Sequence, residues 1–93
     1  MSIITVFGFI SIPEADLEAV TQALPEHIKL TLAEPGCLTF SVTPSSIDPR
    51  RYEVYEEFVD QQAFGDHQQR ALASEWAVVS KNVSRFYQGT VDD

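Results

Sequence analysis

Ten residues near the start, Ile3-Ile4-Thr5-Val6-Phe7-Gly8-Phe9-Ile10-Ser11-Ile12, constrain the fold more than any other stretch. They are β-branched and aromatic, which is the composition of a strand. Successive side chains of a strand point to opposite faces, so Ile3, Thr5, Phe7 and Phe9 share one face and Ile4, Val6, Gly8, Ile10 and Ile12 the other. Neither face is polar, so both need cover: helices of this chain on one side, something else on the other. Gly8, without a side chain in mid-strand, marks a bulge or the close approach of another backbone. The 93-residue chain is read as one domain, 1–93. A domain of this size buries only about 60 to 65% of its unfolded surface. A second copy of the chain is therefore the expected cover, through the outer sheet face and Tyr55.

The other elements follow from periodicity. Pro13-Glu14-Ala15-Asp16 suits a helix start, with proline in the first turn and acids at the positive end of the dipole. Leu17, Val20, Leu24, Ile28 and Leu32 form one apolar stripe. Pro25 interrupts that helix, and a kink or restart is expected near Leu24. His27 flanks the stripe and is read as a surface or boundary residue. Pro35-Gly36 ends the helix. Leu38, Phe40 and Val42 then alternate with polar neighbours as a half-buried strand, and Pro44 to Arg50 is turn chemistry.

The next strand places Tyr52, Val54, Glu56 and Phe58 on its inner face, and Glu53, Tyr55 and Glu57 on the other. Glu56 is the anomaly, because a carboxylate on an apolar face must be hydrogen-bonded, paired or beside a wet cavity. Asp60 is an N-cap for a second helix carrying Phe64, His67, Gln68 and Ala71 along one face. Ser74 and Glu75 open a third helix that turns Trp76, Val79 and Val83 inward. Val83 to Val91 is a last strand, with a frayed tail from Val91 to Asp93. The order β-α-β-β-α-α-β is that of an α+β, ferredoxin-like split βαβ fold, with a four-stranded antiparallel sheet and helices on one face.

Charge and composition exclude several functions. Net charge is −8 and the six Lys and Arg are scattered, so the cationic face that phosphate contacts require is missing, and neither nucleic acid nor an anionic membrane is an expected partner. Cys37 is the single cysteine and the two histidines lie far apart in sequence, which argues against a Cys/His metal site. Cys37 reads as a small buried hydrophobe, with a redox-sensitive thiol as the other reading. No apolar run approaches the ~18 residues of a membrane span. A cytoplasmic protein is the default expectation. Nucleotide-binding, P-loop, nucleophile-elbow and zinc-protease motifs are absent. What remains is His67 and Glu56 as an acid/base pair, with Val54, Phe58, Phe64 and Trp76 as apolar walls. If the two polar groups meet, the carboxylate orients the imidazole and raises its basicity; the same pair could also merely satisfy itself at a sheet–helix junction.

The first strand, the Glu34-Pro35-Gly36-Cys37 corner, Tyr55-Glu56-Glu57-Phe58 before Asp60, and Phe64-x-x-His67 together resemble the antibiotic biosynthesis monooxygenase (ABM) family. The resemblance covers nearly the whole chain. It implies a dimeric α+β barrel in which two sheets meet face to face and each subunit keeps its own pocket. It also implies cofactor-independent monooxygenation of a small aromatic phenol or quinol, with His67 as base, no metal and no cofactor. Members that act on polyketide-like phenols carry an asparagine and a tryptophan on the third strand and a tyrosine on the next helix; the matching positions here are Val54, Phe58 and Phe64. Haem-degrading members use an asparagine on the first strand and a histidine on the third helix, and this chain has neither. An acid/base isomerase of small hydroxyketones and a non-catalytic dimeric ligand-binding module are the alternatives on the same residues.

Overall fold

The computed structural model describes residues 3–92. Strand β1 (Ile3–Ser11) leads through a short 3-10 turn into helix α1 (Leu17–Leu32), followed by β2 (Cys37–Pro44), β3 (Arg51–Phe58), α2 (Gln61–Leu72), α3 (Glu75–Val79) and β4 (Ser84–Asp92). The strands form one antiparallel sheet in the order β2-β3-β1-β4, the ferredoxin-like arrangement expected from the element order. Strand β1 is interior, as its two apolar faces demand. Val91 and Asp92, expected to fray, instead pair with Ile4 and Ile3 in β4, while Asp93 lies outside the described residues. No helix among the described residues is long and apolar enough to cross a membrane.

Gly8 sits where β4 presses on β1. Its φ is +154°, and a Cβ there would overlap the carbonyl oxygen of Phe86, so the position needs glycine because of backbone approach. The register through Gly8 is regular. The irregularity lies in β2, between Cys37 and Thr39, where Leu38 is an extra residue against β3. That bulge turns Leu38 outward to 51% exposure, against the inner position that simple alternation predicts.

Helix α1 runs through Pro25 without a restart. Proline costs one hydrogen bond on an exposed side of the helix, about 3 kcal/mol. That loss is outweighed by the inner face of Val20, Leu24, His27 and Thr31, all buried. The buried stripe thus departs from the expected one after Leu24. It turns to His27 and Thr31, a 4-3-4 spacing that follows the 3.6 period, and leaves Leu32 54% exposed. His27 is accordingly an inner residue and not a surface one.

Two apolar clusters hold the helices on the sheet. At one end Ile10, Ile12, Val20, Val54 and Val83 pack with Leu17 and Trp76. At the other Ile4, Val6 and Phe58 pack with Cys37, Ala63 and Phe64. Burying a Val, Ile or Phe side chain contributes about 1.5–3 kcal/mol. A cleft whose mainly apolar walls are interrupted by Glu56, His67 and Arg85 lies between the clusters. The opposite sheet face stays open: Ile3, Phe7, Tyr55 and Phe86 are 38 to 52% exposed. There Phe9 stacks on Phe86 at 4.7 Å, and the Arg51 guanidinium lies 3.7 Å over the Phe9 ring.

Candidate functional site

The cleft is built from a corner, a capped helix and one strand face. Asp60 caps α2 by accepting from the Ala63 amide at 2.8 Å, a contact worth about 1 kcal/mol. One turn further along, His67 points at the sheet. The corner closes on the same helix: the Val59 amide donates to the Gly36 carbonyl at 2.9 Å, and a Cβ on Gly36 would overlap that of Ala63. Glycine at 36 thereby brings Glu34 against α2. Both Glu34 carboxylate oxygens lie 3.1 Å from His67 Nδ1, and Arg70, one turn beyond His67, donates from Nε to the same carboxylate. Arg70 also donates from Nη2 to Thr31 Oγ1 at 3.0 Å, tying α2 to α1.

A carboxylate on Nδ1 fixes a hydrogen there, so that whenever the ring is neutral its lone pair lies on Nε2. Nε2 lies 3.8 Å from Glu56 Oε1, within ion-pair range but beyond a hydrogen bond. The orienting task expected of Glu56 therefore belongs to Glu34. Strand alternation placed Glu56 on the inner face correctly, but contact with Nδ1 depends on how the corner folds back. Burial, and then the charge of Glu34, push the Glu56 carboxyl up from 4.5 to about 7. The result places the Nε2 side of the imidazole beside a carboxyl that holds its proton up to near neutral pH.

The cleft encloses about 490 Å³, and its walls include Glu56, His67, Val54, Phe64 and Trp76, five of the six residues singled out in the sequence. Phe58 is the exception. It is fully buried beneath His67, with ring centroids 4.9 Å apart, and so supports the imidazole from behind without forming a wall. His27, Arg85 and Tyr87 are lining residues that the sequence reading missed. Arg85 and Tyr87 share the inner face of β4, and the alternation of that strand could have found them. The Tyr87 hydroxyl is pushed up to about 12, by burial first and then by Glu56. His27 stacks on Trp76 at 4.5 Å and 8°, and its centroid is 6.1 Å from that of His67. Burial, followed by the charges of His67, Arg70 and Arg85, lowers its pKa from 6.5 to about 4, so it is neutral.

Cys37 packs into the Ile4–Val6–Phe58 cluster, and burial followed by the charges of Glu34 and Glu56 raises its pKa. That environment disfavours the reactive thiolate. Among the described residues no group of three or more His, Cys, Asp or Glu side chains is arranged to hold a metal ion.

Solved structures with the same fold include a protein of unknown function from Bacteroides thetaiotaomicron, described as a possible oxidoreductase. It superposes with a TM-score of 0.82 at 18% identity over 97% of both chains. A candidate antibiotic biosynthesis monooxygenase from Nitrosomonas europaea gives 0.77 at 21% identity, covering 97% of this chain and 86% of that one. A Pseudomonas aeruginosa protein gives 0.79 at 18% identity, over 98% and 92%. No curated protein matches the chain in sequence. The sequence profile of antibiotic biosynthesis monooxygenases matches residues 3–78, which span β1 through most of α3 and include both Glu34 and His67, and the chain belongs to that family.

Proposed function

We propose that the protein is a cofactor-independent monooxygenase of a small aromatic phenol or quinol, with His67 as the general base. The observation that carries the reading is the pairing of His67 Nδ1 with Glu34, which leaves Nε2 open to an apolar cleft beside Glu56. His67 takes the hydroxyl proton, and the electron-rich phenolate passes electrons to dioxygen. A carbon–oxygen bond forms on the ring, and the resulting peroxide accepts the proton from the imidazolium. Cleavage of the O–O bond, with loss of the hydrogen on that carbon, releases water and leaves a quinone. Phenol and dioxygen thus become quinone and water, with dioxygen the only oxidant. Apolar walls favour the step because the phenolate is poorly solvated there. Arg70 offsets the charge of Glu34, so Glu34 acts mainly by orienting the ring.

Oxygen uptake against a panel of quinols and anthrone-like phenols tests this reading. Uptake should require a substrate with an acidic phenolic or enolic proton and should collapse in His67→Ala. A full rate in that variant would remove His67 as the base, and ligand binding with no oxygen uptake in the wild type would favour a ligand-binding module. The near-neutral Glu56 carboxyl beside Nε2 supports a second reading, an isomerase of small hydroxyketones that moves a proton next to a carbonyl. Turnover without oxygen would select it.

The protein is further proposed to act as a homodimer that buries Ile3, Phe7, Tyr55 and Phe86, since an exposed apolar patch of several hundred Å² is unusual on a monomer. Sedimentation should give twice the 10.4 kDa chain mass at micromolar concentration. A monomer there refutes the assembly.

A further inference from the structure

The function proposed above uses one of the two histidines of the chain. The other, His27, is 6% exposed, and its Nδ1 is sealed from solvent without a hydrogen-bond partner. A buried polar atom left unpaired costs about 1–3 kcal/mol, so a histidine packed here between Trp76 and Phe40 calls for a reason. The ring is held firmly, flat against Trp76 and edge-on to Phe40 at 5.5 Å and 82°. It forms part of the cleft wall. The ring also lines a second cavity, beside Glu26 and Glu75; with Nδ1 sealed, Nε2 is the ring nitrogen left to make a polar contact. The ring is neutral, as shown above. A hydrogen on Nδ1 would bury an orphaned N–H, whereas a hydrogen on Nε2 leaves only an under-used acceptor, and orphaned donors are the rarer of the two. His27 thus offers the cleft an N–H, and His67 offers a lone pair.

Spacing adds a constraint on the ligand. The imidazole centroids are 6.1 Å apart and tilted by 44°, so the rings are neighbours on one side of the cleft and not opposite walls. Two groups so placed, each reaching about 2.8 Å to a partner, meet oxygens at adjacent positions of a ligand and not at its two ends.

We propose that His27 is a specificity-determining residue that donates a hydrogen bond from Nε2 to a second oxygen of the bound ring. The cleft then selects aromatic ligands with two oxygens on one edge, an ionisable hydroxyl toward His67 and an acceptor toward His27. The proposal rests on the role given to His67 only for which oxygen faces which ring. Selection by His27 is a property of binding and is tested without turnover.

Trp76 is the single tryptophan and stacks on His27, so its fluorescence reports occupancy. Anaerobic titration compares 2,3-dihydroxynaphthalene with 2-naphthol, which lacks the second oxygen. The wild-type protein should bind the former about tenfold tighter, the effect of one hydrogen bond to an otherwise unpaired group. His27→Phe keeps the stack and removes both nitrogens; the two ligands should then bind within about twofold of each other. His27→Gln, whose amide N–H reaches close to the place of Nε2, should restore part of the preference and serves as the second variant if the phenylalanine chain fails to fold. Full preference in His27→Phe, no restoration in a folded His27→Gln, no preference in the wild type, or no binding of either ligand overturns the proposal. An unchanged oxygen uptake in His67→Ala would sink the proposed function and leave this titration result standing.

Discussion

On α2 His67 has a carboxylate on Nδ1 and a second carboxyl facing Nε2; on α1, with its ring centroid 6.1 Å away on the same side of the cleft, His27 has an aromatic stack and no partner at Nδ1. Both rings are buried, at 6% exposure each. Burial, with the nearby cations added to it, suppresses the charge of the His27 imidazole, while a carboxylate on one nitrogen decides what the other nitrogen presents. On the proposed function the same side chain serves as a base on α2 and as a neutral donor on α1. Arg70 links the two helices, since it bonds Glu34 on one side and Thr31, one turn beyond His27, on the other.

The largest effect should come from removing the α2 side of this contrast. His67→Ala is expected to lower oxygen uptake by about 10²- to 10⁴-fold, the range for a positioned general base, and an oxygen electrode measures it.

Next comes Glu56, through stability. Its folded pKa of about 7 lies above the ordinary 4.5, so the stability it contributes is fully present below pH 4.5 and is lost as pH rises through 7. Glu56→Gln removes that loss, and its melting temperature at pH 8 should exceed that of the wild type by the equivalent of up to about 3 kcal/mol. An unchanged melting curve at pH 8 would mean that the carboxylate is better solvated than its burial implies.

Glu34→Gln should reduce kcat on the order of 10- to 100-fold with little change in KM, because the ring loses its fixed tautomer and orientation while the cleft keeps its walls. A larger loss in Glu56→Gln than in Glu34→Gln would return the orienting role to the strand carboxylate.

The smallest expected effect belongs to His27. Its pKa is depressed from 6.5 to about 4, so the stability it contributes is present above pH 6.5 and is lost as pH falls through 4. Discounted for solvent screening through the cleft, that loss is of order 1 to 2 kcal/mol. In the wild type the opposite slopes of His27 and Glu56 partly offset each other between pH 4.5 and 6.5, and the larger Glu56 contribution should leave a shallow net fall in stability with rising pH. Glu56→Gln should expose the acid slope and His27→Phe should remove it, as thermal melts across that interval will show.

Much of this site could be read from local pattern. Two-residue alternation set Glu56 and Val54 on the inner face of β3, and the three-residue step from Phe64 to His67 set both on the inner face of α2. Helical period could also have found His27, because 20-24-27-31 follows the turn more closely than the apolar positions do. An apolar-only stripe hides it, since a histidine on an inner face violates the pattern by which inner faces are recognised. Phe58 shows the converse error: strand alternation cannot tell a cleft wall from the residue beneath it.

The sequence by itself determined the β-α-β-β-α-α-β order, the two apolar faces of β1, the Asp60 cap and the inner faces of β3 and α2, because each depends on residues within a few positions of one another. The tertiary structure alone decided which carboxylate holds His67. Glu34 and His67 are 33 residues apart. They meet because Gly36 lets the corner pack against Ala63 with no Cβ between them, a contact between two elements that neither period encodes. The bulge at Leu38 and the orphaned nitrogen of His27 belong to the same class, since strand register and burial are set by how the chain closes on itself.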